Sequence, residues 1–192
     1  MSTTTKTRAT IDDLYGAEGK AELIAGRIVH HMATGRKPNR VVLRIVRSLD
    51  DHAEATKRGE AYTDNIAFAV PELSSGRESF SPDASCFLGP FPSNEMKFLQ
   101  GPPTFAVEVR SEGDYGASAE AEMAAKRRDD FEAGTEVVWD VDPVAEFIHV
   151  YRKDAPDRPV TFGDGQVANA EPAVAGWRVA VDWIFAPHRT EP

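Results

Sequence analysis

Apolar residues recur at helical spacing in one long stretch of the chain. Val42, Ile45, Val46, Leu49 and Ala53 share one side of a helical wheel, with Arg40, Arg44 and Arg47 largely elsewhere. This predicts a helix from residue 38 to about 57. Ahead of it the period shortens to two. Ala21-Glu22-Leu23-Ile24, a two-residue Ala-Gly link, and Arg27-Ile28-Val29-His30-His31-Met32 predict a β-hairpin, preceded by a helical turn over 11–15 capped by Thr10. Beyond the helix, strands are expected at 60–70, 80–88 and 104–110, with a Pro- and Gly-rich loop over 89–103. A flexible stretch at 111–118 leads to a second helix over 119–133, stopped by Gly134. Strands at 135–141 and 147–152 follow, joined through Asp142-Pro143. A strand near 159–162, a Gly163-Asp164-Gly165 turn, and a strand and helical turn around 177–185 complete the chain. The order predicts one α/β (α+β) domain over 10–187, a mixed central sheet flanked by helices, with tails at 1–9 and 188–192 and the first of them disordered.

Bulk properties narrow this further. A chain of 192 residues with 41% hydrophobic and 28% charged content fits a soluble domain with a real core. No apolar run approaches the roughly 20 residues that span a bilayer, and the amino terminus lacks the apolar core of a signal peptide. A single cysteine, Cys86, excludes an intrachain disulfide and suits a reducing cytoplasm. The net charge of −9 argues against tight, non-specific DNA binding, unless local patches or bound cations offset it.

Candidate chemistry begins at Glu108. Phe105, Val107 and Val109 fall on one face of their strand, while Ala106, Glu108 and Arg110 share the other. A carboxylate there is costly to bury unless it is paired or holds a metal. Asp83 lies at the start of another short strand. If the two strands are neighbours, both carboxylates converge on one hard cation such as Mg²⁺, with Mn²⁺ as a substitute. A lysine, Lys126, lies on the second predicted helix. Two strand acids and a lysine are the parts of a metal-dependent phosphodiesterase site.

At this point the chain resembles a known family. Pro82-Asp83, Glu108-Val109-Arg110-Ser111, Lys126, Ala133-Gly134 and the run from Val138 through Asp140 to Pro143 resemble the Uma-two-type putative restriction endonucleases, within the PD-(D/E)XK nuclease superfamily. Glu22-Leu23-Ile24-Ala25-Gly26-Arg27 and the ending from Ala175 to Phe185 extend the likeness to about residues 12–186. The resemblance implies a restriction-endonuclease-like sheet with acids on adjacent strands, a DNA substrate and a homodimer. It also implies Asp83 and Glu108 as metal ligands, the Val109 carbonyl as a third, and Glu22 as an acid facing the same site that helps hold the metal. The usual superfamily lysine, two residues after the glutamate, is here Arg110, which stays protonated and serves only to stabilise charge. Lys126 matches a helical lysine that replaces it, orienting or activating the water. Asn39 stands where relatives often carry histidine, and Phe131 where tyrosine is common.

Plainer readings of the same residues stand beside this one. Asp83 also fits a strand-start acid bonded to loop amides, and Glu108 a partner for Arg110. Lys126, with Glu122 and Asp130 four residues to either side, fits a surface ion pair. His30 and His31 point to opposite strand faces and are expected to be structural. Asp140 and Asp142 are expected to serve a turn. A nuclease-fold protein acting as a non-catalytic, dimeric binding module is the competing reading.

Overall fold

The computed structural model describes residues 8–187. A capping box closes α1 (Ile11–Leu14): Thr10 accepts from the Asp13 N–H, and the Asp13 side chain accepts from the Thr10 N–H. Strands β1 (Ala21–Ile24) and β2 (Arg27–His30) form the expected hairpin, turning through Ala25 and Gly26, both at positive φ. Residues 1–7 and 188–192, expected as tails, lie outside the described residues. Arg8 and Ala9, expected in the disordered tail, are docked on this hairpin: the Ala9 N–H donates to the Gly26 carbonyl at 2.9 Å.

Helix α2 (Arg36–Thr56) buries Val41, Val42, Ile45, Leu49 and Ala53, so the predicted stripe is the packed face. The predicted strand over 60–70 is broken into β3 (Glu60–Thr63) and β4 (Phe68–Ala69). The break is at Asn65, whose φ of 72° is a left-handed turn conformation that asparagine tolerates. The strand expected over 80–88 divides likewise into β5 (Ser79–Phe80) and β6 (Ala84–Phe87), because Pro82 has no N–H to give a ladder. Inside the expected loop, β7 (Leu99–Gln100) pairs parallel with β4, and with β5 completes a small three-stranded sheet around Phe68, Phe80 and Phe87.

Strand β8 (Phe105–Val109), helix α3 (Ala117–Ala133) and β9 (Val137–Asp142) make a crossover unit, with β8 and β9 parallel. Then β10 (Phe147–Arg152) and β11 (Ala155–Phe162) extend the main sheet, whose order is β11-β10-β9-β8-β6-β3. Pro156 and Pro159 lie in β11 at the outer edge, where they discourage pairing with another chain. A short pair, β12 (Val167–Asn169) and β13 (Arg178–Ala180), leads into α4 (Val181–Phe185).

Alternation along β8 decides which layer each residue joins. Phe105, Val107 and Val109 enter the main core with α2, Trp139 and Trp177. There the Phe105, Trp139 and Trp177 rings meet at centroid distances of 5.0–5.7 Å. Ala106 and Val138 face the other way, against Phe131 of α3. Glu108 follows Ala106 on that second face, and the chemistry lies there. Cys86 is a buried strand residue, as expected.

Candidate active site

Strands β6 and β8 are antiparallel neighbours with Ala84 opposite Val107, so Asp83 arrives beside Glu108. The Asp83 N–H donates to the Val107 carbonyl at 3.0 Å. Its Oδ2 accepts from the Val109 N–H at 2.8 Å. The N–H and C=O of one strand residue leave from the same edge, so the Val109 carbonyl is directed to the Asp83 side as well. Asp83 Oδ1 meets a residue that no motif marks, Lys20, whose Nζ is 2.5 Å away.

Lys126 is not a surface lysine. Its Nζ stands between Glu108 Oε1 at 2.9 Å and Glu22 Oε1 at 3.1 Å, with the side chain 16% exposed. Glu122, its expected surface partner, instead accepts from Ser118. Glu22, delivered by β1, is fully enclosed and its oxygens are all engaged. Oε1 accepts from the Ser81 N–H at 2.9 Å, while Oε2 lies 2.6 Å from Arg77 Nη1 and 3.2 Å from His31 Nε2. Arg77 turns its Nε to Asp129 Oδ2 at 2.9 Å. Burial alone would raise the Glu22 carboxyl, yet Lys126, His31 and Arg77 hold it well below the usual range. Glu108 moves the opposite way: burial lifts it, Lys126 opposes, and the Asp83 charge adds to the lift. Burial likewise disfavours the Lys126 ammonium, but Glu108, Glu22 and Asp130 outweigh it and raise its pKa.

Two expectations about roles meet a different geometry. Arg110 was expected to stabilise charge at the reacting group, but its fork is turned to β9 and the start of α3. Nε and Nη2 donate to the two Asp140 oxygens at 2.7 and 2.8 Å, and the remaining donors meet Glu120. Asp140 therefore serves as a clamp partner, not a turn acid. Asp142 does serve its turn, accepting from the Val144 and Ala145 N–H groups. Glu22 was expected to face a metal, but its oxygens already satisfy Ser81, Arg77, His31 and Lys126, so it positions Lys126 instead. Because Arg110 works as a planar fork, Arg110→Lys should destabilise the fold by about 1.5–3 kcal/mol, read as a lower urea midpoint. An unchanged midpoint would show the clamp to be idle.

The residues that sequence reasoning missed share a cause. Lys20, His31 and Arg77 reach the site through pairings that no local spacing records. Asp129 and Asp130 did leave a signal: they are three and four residues beyond Lys126, hence on its side of α3. Asp130 is buried with one carboxyl oxygen lacking any hydrogen-bond partner, and burial lifts its pKa well above the usual range.

Glu108 Oε1 is also shut off from water, with the Lys126 ammonium at 2.9 Å beside it. The Glu108 carboxylate, with Asp83 and the Val109 carbonyl, is a hard oxygen set that suits a divalent cation. Glu22 does not fit as a further ligand. Among the described residues, no three Asp, Glu, His or Cys side chains already converge as a metal cage.

A mixed sheet with acids on adjacent strands and a lysine on the crossover helix defines a restriction-endonuclease-like fold. The chain belongs to the Uma2 family, described as putative restriction endonuclease, which matches residues 9–182. Its fold is also that of a putative nuclease belonging to DUF820 from Anabaena variabilis, with a TM-score of 0.71 at 17% identity, covering 92% of this chain and 97% of that one. No curated protein matches the sequence. No helix among the described residues is long and apolar enough to cross a membrane.

Proposed function

We propose that this nuclease-family protein is a Mg²⁺-dependent endonuclease that hydrolyses DNA phosphodiester bonds with water. The observation that carries the reading is Lys126 held between Glu108 and Glu22, beside Asp83 on the neighbouring strand. Asp83, Glu108 and the Val109 carbonyl would hold the cation, with Mn²⁺ as a substitute. When bound, the cation supplies Lewis acidity toward the phosphate and the attacking water. Lys126 donates to that water and orients it, and Glu22 fixes the ammonium in place. Arg110 supports the site from outside by joining β8, β9 and α3. Lys20 holds Asp83 in its rotamer and adds positive charge near the scissile phosphate.

The family resemblance supports a homodimer as the working unit, expected at twice the 21.0 kDa of one chain by light scattering. The lone, buried Cys86 supports a reducing, cytoplasmic setting.

Purified protein is expected to nick supercoiled plasmid with Mg²⁺ or Mn²⁺ and to stop in EDTA. Saturating Mn²⁺ should also raise the melting temperature. At a concentration about a hundredfold above Kd the gain is about 5–10 °C for a domain of this size. Asp83→Ala should abolish that rise. Cleavage that continues in EDTA would sink the metal-dependent reading.

One observation favours the competing reading. Both strand acids already have lysine counter-ions, so the fold does not need a metal to neutralise them. In that case the protein is a catalytically inactive, dimeric binding module. A melt indifferent to divalent cations, with plasmid left intact, would select it.

A further inference from the structure

Between residues 23 and 49 the chain carries six cations, Arg27, Arg36, Lys37, Arg40, Arg44 and Arg47, and no acid, in a protein of net charge −9. Helix geometry gathers four of them. With 3.6 residues per turn, Arg36, Arg40, Arg44 and Arg47 fall within about 80° of one another and run for about 17 Å along α2. The apolar side of the helix, Val41, Val42, Ile45 and Leu49, packs on the sheet, so this stripe looks away from the core.

The four arginines are not equivalent. Arg44 donates to the carbonyls of Trp183, Ile184 and Ala186 at 2.8, 3.0 and 2.5 Å, and its guanidinium stands over the Trp183 ring. It anchors α4 and belongs to the fold. Arg36 and Arg47 are exposed, and among the described residues neither makes an ion pair or a side-chain hydrogen bond. Arg40 borders a cleft of about 720 Å³ between α2 and α4, and its Nε–H is shut off from water without an acceptor. A guanidinium donor left in that state is costly, and among the described residues Arg40 has no acid of the fold holding it in place. Glu146, Asp164 and Asp182 line the same cleft as Arg36 and Arg40, so an anion would be met along the outer side of the helix and not within the cleft.

The start of α2 adds an independent sign. Gly35 caps it without a side-chain hydrogen bond, and the first turn holds Arg36 and Lys37 but no acid. That is the reverse of what the helix dipole favours, and a bound anion offsets both penalties. Lys37 reaches Glu146 in the β9–β10 turn at 2.7 Å. The first turn of α2 therefore stands at the end of the sheet where β8 and β9 finish. Glu108 is at that same end, on the opposite face.

We propose that Arg36, Arg40 and Arg47 form a phosphate track, a sequence-independent seat for the backbone of duplex DNA that is separate from the acid cluster. The choice of DNA as the anion rests on the nuclease reading. Guanidinium forks match phosphate oxygens in pairs, and such pairing releases counter-ions from the duplex, so binding weakens steeply with salt.

Fluorescence anisotropy with a short labelled duplex, full-length protein and EDTA reads this seat with cation-dependent cleavage switched off. Wild type should bind with a steep salt dependence. The variant R36A/R40Q/R47A should bind at least about tenfold more weakly, with the log–log salt slope reduced by about 0.9 for each phosphate no longer neutralised. The exposed pair R36E/R47E should weaken binding as much while keeping its melting temperature, which separates a damaged seat from a damaged fold. Removing two positive charges elsewhere, in R158A/R178A, should leave most of the binding. The track is overturned if the triple variant keeps wild-type affinity and slope, or if R158A/R178A weakens binding as much. It is also overturned if wild type does not bind the duplex in EDTA. Binding in EDTA without any cation-dependent cleavage would uphold the track and refute the proposed activity.

Discussion

Arg77→Met is expected to lower stability by about 3–5 kcal/mol, the cost of leaving a buried ion pair with one partner. Arg77 is enclosed and serves two acids on different elements, Glu22 on β1 and Asp129 on α3. It also donates to the Ser79 carbonyl and stands over the Phe80 ring at 5.1 Å. Methionine replaces the apolar stem but supplies no donor, so Glu22 keeps its charge in a dry site where Arg77 no longer offsets it. For a domain of this size the loss corresponds to about 6–20 °C in melting temperature. Adding Glu22→Gln should recover part of the loss, because the neutral amide no longer needs the guanidinium. The double variant should therefore be less damaged than the two single losses together. Strict additivity in a urea-unfolding cycle would mean that the pair does not couple.

That network also shows where a one-dimensional reading ends. The α2 stripe, the hairpin, the faces of β8 and the Gly134 stop are periodic or local signals, and each is present in the structure. Strand continuity is overestimated twice for a local reason, since Asn65 and Pro82 each interrupt a run of good strand formers. The pairing of β6 with β8 was inferable, because the acids at 83 and 108 need each other. The partners of those acids were not. Lys20 and Asp83 are 63 positions apart, and Arg77 and Glu22 are 55. Their pairing follows from the hairpin docking beside β5, where the Glu78 N–H donates to the Leu23 carbonyl. Arg110 illustrates the opposite hazard. Strand alternation places it on the Glu108 face, but Asp140, on the parallel neighbour, captures the fork.

Glu108→Ala is expected to remove cation-dependent plasmid cleavage to below detection, and Lys126→Met to reduce it by about 10²–10³-fold. The difference in degree follows from their positions. Glu108 would supply an oxygen to the cation, so its loss takes away the charge that makes the phosphate reactive. Lys126 would act on the water and on developing charge, as a single positioned donor. Lys126→Met should lower kcat while leaving KM for plasmid nearly unchanged, since the ammonium is sunk beneath the acids and not on a DNA-facing surface. Removing it also leaves Glu22 and Glu108 without the cation between them. A saturating Mn²⁺ concentration should therefore still raise the melting temperature of Lys126→Met, and that of Glu108→Ala much less. If Lys126→Met cleaved at the wild-type rate, the lysine would be a structural counter-ion and the water would need another donor. Lys20, already at Asp83, is the next residue to replace. If Glu108→Ala cleaved at the wild-type rate, the site itself would be misplaced, because no other acid on β8 faces α3.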